Sequence, residues 1–204
     1  MFTGLIREMA NVQSYRNNEL SVKASYRPKI GDSIAINGAC LTVVKLQEGS
    51  FSLELSPETQ AHIATQNLHG RVHMEPAMQM GERFEGHIVQ GHVDCIGEIS
   101  KIKDNGNSVD FFICIPEAFR RFLIPKGSIT VDGVSLTINE VIDDGFRLTI
   151  IPHTIKESLF GTYTSGHKVN IETDMFARYI YHLFNPEKKS SVSWDDIDKI
   201  SALY

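Results

Sequence analysis

The chain has 204 residues, 42% of them hydrophobic and 22% charged, which is the profile of a soluble globular protein of one or two domains. Its formal net charge of −5 argues against nucleic acid and anionic membrane surfaces as partners. No apolar run approaches the roughly 18 residues that span a bilayer, and Met1–Ile6 is not a basic segment followed by an apolar one, so neither membrane insertion nor export is expected.

In chain order, Leu20–Ala24 reads as a strand, and 32–45 is rich in Val, Ile and Thr. The turn Glu48-Gly49-Ser50 then leads into Phe51–Ser56, which alternates apolar and polar residues with the period of a half-buried strand. A short helix is expected over 57–65 and a strand over 71–75. Gly81–Gly86 reads as a linker. Strands follow at 96–102 and 108–115, with a two-turn helix at Glu117–Leu123 behind Pro116. The region 128–141, the turn Asp143-Asp144-Gly145 and the alternating Phe146–Ile150 form a second hairpin, followed by a helical stretch at 153–160 and a strand at 168–172. From Asp174 onward Phe176, Tyr179, Ile180, Leu183 and Phe184 make the i, i+3, i+4, i+7, i+8 stripe of an amphipathic helix ended by Pro186. The stripe fits either packing on the second half or an oligomer contact. Trp194–Tyr204 follows Ser193, a candidate N-cap, with Asp195 and Asp196 in the first turn.

Many of these elements occur twice. Asn37-Gly38-Ala39-Cys40-Leu41-Thr42-Val43 is answered by Asp132-Gly133-Val134-Ser135-Leu136-Thr137-Ile138. The same offset carries Phe51, Leu53 and Leu55 onto Phe146, Leu148 and Ile150, and Pro57 with Thr59 onto Pro152 with Thr154. One offset explaining three segments means two similar small domains, and many short strands with Gly and Asn/Asp turns indicate all-β barrels. The expected division is 1–86, 87–173 and a helical tail over 174–204.

Cys40, Cys95 and Cys114 are an odd number at wide spacing, as expected of reduced thiols in a cytoplasmic protein. His87, His92 and Cys95 match no structural zinc spacing, so no metal is expected. No serine nucleophile elbow, P-loop or GxGxxG is present. Cys40, at the start of a strand behind a turn pair, is either a buried structural thiol or a pocket residue, and Ser135 shares the ambiguity. His92 stands beside Gly91, which permits close backbone approach, and a histidine carries protons near neutral pH.

Met1–Ile6, the Cys40 and Ser135 signatures, Gly86–Val93 and Val169–Asp174 together resemble the trimeric, α-chain type of riboflavin synthase over nearly all of residues 1–185. The resemblance implies an all-β fold of two similar six-stranded Greek-key barrels in tandem plus a C-terminal α-helix around which a homotrimer assembles. It implies that two 6,7-dimethyl-8-ribityllumazine molecules exchange a four-carbon unit with neither metal nor redox cofactor, giving riboflavin and 5-amino-6-(D-ribitylamino)uracil. By similarity, the first-barrel pocket uses Ser33, Cys40, Leu41 and Thr42 with Gly4, Leu5 and Ile6, and the stretch Glu54, Leu55, Ser56, Pro57, Glu58 and Thr59. The second uses Gly91, His92 and Val93, Lys126, Ser135, Leu136 and Thr137, and the stretch Ile150, Ile151, Pro152, His153, Thr154 and Ile155. His92 is implied as the proton carrier, Ser135 and Thr137 as the groups that polarise the reacting methyl, and Cys40 or an activated water as the nucleophile. Relatives often carry Cys-Cys in place of Ala39-Cys40 and an acidic residue in place of His153. The same double barrel also serves non-catalytic lumazine or flavin carriers, and whether the trimer associates with a lumazine synthase capsid is left open.

Overall fold

A computed structural model describes residues 1–185 of the chain; the expected tail segment beyond Asn185, including Trp194–Tyr204, lies outside the described residues. The first half runs through β1 (Glu8–Arg16), β2 (Glu19–Lys23), β3 (Ser33–Ile36), β4 (Ala39–Gln47), β5 (Ser50–Glu54), the short helix α1 (Pro57–His62) and β6 (Arg71–Pro76). These six strands close into an antiparallel barrel in the order β1-β2-β5-β4-β3-β6, a Greek key in which the meander β3-β4-β5 returns beside β2. Inward-facing Leu20, Val22, Leu41, Val43, Phe51, Leu53 and Met74 fill it. Burying each stabilises the fold by about 1.5–3 kcal/mol.

The second half repeats the plan with β7 (Cys95–Asp104), β8 (Val109–Cys114), α2 (Glu117–Arg120), β9 (Ser128–Val131), β10 (Val134–Thr137), β11 (Glu140–Ile142), β12 (Gly145–Ile150), α3 (Pro152–Lys156) and β13 (Lys168–Thr173). Its order β10-β9-β13-β7-β8-β12-β11 is that of the first barrel with the counterpart of β4 broken in two, which is why seven strands stand where six are expected. The break falls where β4 carries a bulge between Val43 and Lys45. There the Asn139 carboxamide takes the Thr149 N–H at 2.7 Å, a donor that a ladder carbonyl otherwise accepts. Phe146, Leu148, Ile138 and Ile113 occupy this core as their counterparts do the first.

One expectation needs correction, and an alternative left open narrows. The 117–123 helix is only four residues long, and its end tightens into turns in which Phe122 N–H donates to Phe119 and Leu123 N–H to Arg120. The terminal helix α4 (Met175–Phe184), capped by the Asp174 carboxylate accepting the Phe176 N–H at 2.8 Å, does not bury its apolar stripe on the second half. It packs through Ala177, Arg178 and Tyr181, whereas Phe176, Tyr179, Ile180, Leu183 and Phe184 stay 54–81% exposed. No described helix is long and apolar enough to cross a membrane.

Candidate active site

The turns Asn37-Gly38 and Asp132-Gly133 join β3 to β4 and β9 to β10 with positive φ at all four residues, the geometry of a tight hairpin. They meet back to back, so closely that a Cβ on Gly38 would lie 2.7 Å from the Gly133 nitrogen. A buried polar network fixes the contact. Asn170 donates its Nδ2 to the Asn37 carbonyl and accepts the Ala64 N–H, and Asp132 accepts from Asn170 N and the Tyr163 hydroxyl. His73 accepts the Leu159 N–H on Nε2, so Nδ1 carries the proton and donates to the Asp132 carbonyl. Burial accordingly holds this imidazole neutral, with its pKa down at about 4.

Around this joint the halves exchange arms. Phe2 and Val89 pair as an antiparallel bridge, and beyond it each arm crosses to the opposite barrel. Gly91 accepts the Cys40 N–H through its carbonyl at 2.8 Å, and Gly4 accepts the Ser135 N–H at 2.8 Å. Both glycines have φ +78, and a Cβ would stand 2.6 Å from Cys40 Cβ or 2.5 Å from Ser135 Cβ, so no other residue fits either place. A buried carboxylate at the end of each barrel's last strand holds the arm. Glu75 accepts the N–H groups of Thr3 and Gly4 and the Thr3 hydroxyl; Glu172 accepts those of Gln90, Gly91 and His92. Burial raises both carboxyls, Glu172 to about 7, against the pull of these donors.

Each crossing arm walls a cavity. The first, about 490 Å³, is lined by Cys40, Ser56, Glu58, Thr59 and His62 of the first half and by Gly91, His92, Val93, Asp94 and Phe119 of the second. The Cys40 thiol, half-buried beside Ser33, has its pKa raised mainly by burial, so it stays protonated at neutral pH. The second half presents two adjoining cavities of about 390 and 290 Å³ that share Ser135 and Thr154. One includes Gly86, Leu136, Thr137, Asn139, Ile150 and Ile151, and the other Gly4, Leu5, Ile6 and His153. Here Ser135 Oγ lies 2.7 Å from His87 Nδ1, and the Thr130 hydroxyl lies 3.2 Å from Nε2. Burial lowers the His87 pKa, leaving a neutral imidazole with one ring nitrogen to accept a proton. Cavities of this size, with few converging polar groups, suit small molecules.

The model of the lumazine binding domain family matches residues 3–77 and again 90–174. The riboflavin synthase of Photobacterium phosphoreum is 42% identical over 98% of both chains, and that of Bacillus subtilis (strain 168) is 40% identical over 91% of this chain and 90% of its own. The chain belongs to the riboflavin synthase family. Solved structures of LumP complexed with riboflavin and with 6,7-dimethyl-8-(1'-D-ribityl) lumazine share the fold, with TM-scores of 0.75 and 0.72 over 85% of this chain, at 19% and 20% identity.

The geometry regroups the residues singled out from the sequence. Gly4, Leu5 and Ile6 line the second-half site rather than the first, and Gly91, His92 and Val93 the first rather than the second, because the arms cross. Leu41 and Leu55 point into the first core, the inward partners in the alternation that turns Cys40 and Thr42 outward. Ser33, Thr42, Glu54 and Pro57 do not line the first cavity, although Ser33 stands opposite Thr42 on the neighbouring strand, as Ala35 stands opposite Cys40. Lys126, Pro152 and Ile155 line none of the cavities described, and Ile155 packs on the second core. Sequence reasoning missed His87 as Ser135's partner and both clamping glutamates. The signal was a second offset, which sets Phe2-Thr3-Gly4-Leu5-Ile6 against Val89-Gln90-Gly91-His92-Val93.

Proposed function

We propose that this chain is a cytoplasmic riboflavin synthase, which moves a four-carbon unit from one 6,7-dimethyl-8-ribityllumazine to another and yields riboflavin with 5-amino-6-(D-ribitylamino)uracil. The observation that carries the reading is the 42% identity to the Photobacterium phosphoreum riboflavin synthase over 98% of both chains. Two related cavity systems, one per half, fit a reaction between two copies of one substrate. Holding both rings in a fixed geometry replaces a bimolecular encounter and is worth roughly 7–11 kcal/mol.

His92, exposed on the rim of the first cavity, exchanges a proton with the lumazine bound there. Cys40, protonated, serves that ligand as a hydrogen-bond donor, which leaves water as the nucleophile at C7. In the second half Ser135 passes a proton from the 7-methyl group to His87, with Thr137 beside it on the same strand. The donor and acceptor ligands meet between the first half of one chain and the second half of a neighbour in a homotrimer, and the exposed face of α4 is the assembly surface.

Purified protein incubated with 6,7-dimethyl-8-ribityllumazine alone forms riboflavin, followed by its visible absorbance, and His92→Ala slows it. A lumazine bound but unconverted by the wild type moves the chain to the carrier class.

A further inference from the structure

The helix α4 lines none of the cavities described, yet one of its side chains holds the arm that builds the first. Arg178 Nη1 donates to Asp94 Oδ1 at 2.6 Å, and Nη2 donates to the Gln90 Oε1 at 2.7 Å. The same Nη2 stands 3.8 Å from Glu172 Oε1, the carboxylate that takes the N–H groups of Gln90, Gly91 and His92. Asp94 in turn accepts the Thr173 N–H and hydroxyl with its other oxygen. One guanidinium therefore grips both ends of a five-residue arm, Gln90 to Asp94, whose middle is Gly91, His92 and Val93. All three side chains of the ion cluster are largely withdrawn from water, at 23%, 12% and 3% exposure for Arg178, Asp94 and Glu172. Charge-assisted bonds at such depth have defined geometry, and a planar fork spans two acceptors as an ammonium cannot.

The counterpart arm lacks this grip. Glu75 holds Thr3 and Gly4 alone and makes no ion pair with a cation among the described residues. The asymmetry singles out the arm that carries His92.

Resting on the activity proposed above, we infer that Arg178 is a positioning residue: from α4 it sets the position of the Gln90–Asp94 arm, and through it His92 and the wall of the Cys40 cavity. The opposite face of α4 is the exposed apolar stripe, so whatever packs there also steadies Arg178 and reaches the site through a single side chain. The groups facing Glu172 are Arg178 on α4, Asp94 on the arm and Cys40 on β4. Removing Arg178 takes away the one cation among them, so Glu172 protonates at a higher pH and releases the arm's N–H groups there.

The test compares Arg178→Met and Arg178→Lys with Arg121→Met. Arg121 also anchors α4, with its guanidinium 4.8 Å over the Tyr181 ring, but does not touch the arm. Lumazine turnover is measured against pH, with oligomeric state by sedimentation. Arg178→Met is expected to lower kcat by about tenfold or more, since displacing a reacting group by about 1 Å costs up to about 100-fold. KM changes little, the acid limb of the pH profile moves up, lysine restores part of the rate, and Arg121→Met keeps wild-type kcat and profile. Should Arg178→Met fail to fold, Gln90→Met removes one of the two arm contacts and shows a smaller loss of the same kind. Wild-type turnover with Arg178→Met matching Arg121→Met in kcat and pH profile overturns the inference; absence of wild-type turnover overturns the activity itself.

Discussion

At the scale of single residues the site depends on two positions that tolerate no side chain and on two histidines with opposite tasks. Gly91→Ala must place a methyl 2.6 Å from Cys40 Cβ at a φ of +78, and we expect a loss of about 1–3 kcal/mol in denaturant unfolding together with loss of turnover. His87, bonded to Ser135 at 2.7 Å, is a proton acceptor in the proposed chemistry. His87→Ala should lower kcat by about 100- to 10,000-fold with a small change in KM, and an unchanged kcat removes it from the mechanism. His73 is structural. Its folded pKa of about 4 lies below the ordinary 6.5, so the stability it supplies is complete above pH 6.5 and is lost as the pH falls toward 4. Against a His73→Gln variant, which does not titrate, wild type should lose about 1.4 kcal/mol per pH unit in that window. Asp132 and Glu172, whose burial-raised pKa values act with the opposite sign, are common to both proteins and cancel in the difference.

At the scale of elements, strand content was legible wherever a strand alternates. Phe51–Leu55 and Phe146–Ile150 show their inward faces in the sequence, and those residues fill equivalent places in the two cores. Phe51→Ala and Phe146→Ala should therefore cost similar amounts, about 3–5 kcal/mol each by thermal or denaturant unfolding. β1 was not legible, because among its nine residues only Ala10 is fully buried and the rest read as a mixed surface. Nor was the split of the second fourth strand, which rests on one carboxamide, that of Asn139, standing in for a ladder carbonyl. The terminal helix was legible as amphipathic, with packing on the second half and an oligomer contact both open, since a helix's stripe does not say which neighbour covers it. With that stripe exposed, Leu183→Ser with Phe184→Ser should give a smaller species than wild type by sedimentation while each barrel keeps its thermal transition.

At the scale of the whole molecule, the doubled chain works as two barrels that complete each other. The repeat announced the two barrels and the positions equivalent to Cys40 and Ser135. It did not announce the crossing of the arms, because that crossing is made by backbone bonds from Gly4 and Gly91 to the opposite barrel, which no periodicity encodes. The result is two sites of unlike chemistry from one fold, a protonated thiol with His92 in one and a Ser135–His87 pair in the other. In the proposed reaction one site of each kind is brought together from two chains. The most direct measurement mixes two variants of strongly reduced activity, His92→Ala and Ser135→Ala, allows them to exchange subunits, and follows riboflavin formation from 6,7-dimethyl-8-ribityllumazine. Turnover that returns in the mixture, but in neither variant alone, is the predicted result. A mixture as inactive as its components contradicts a reaction shared between the first half of one chain and the second half of another.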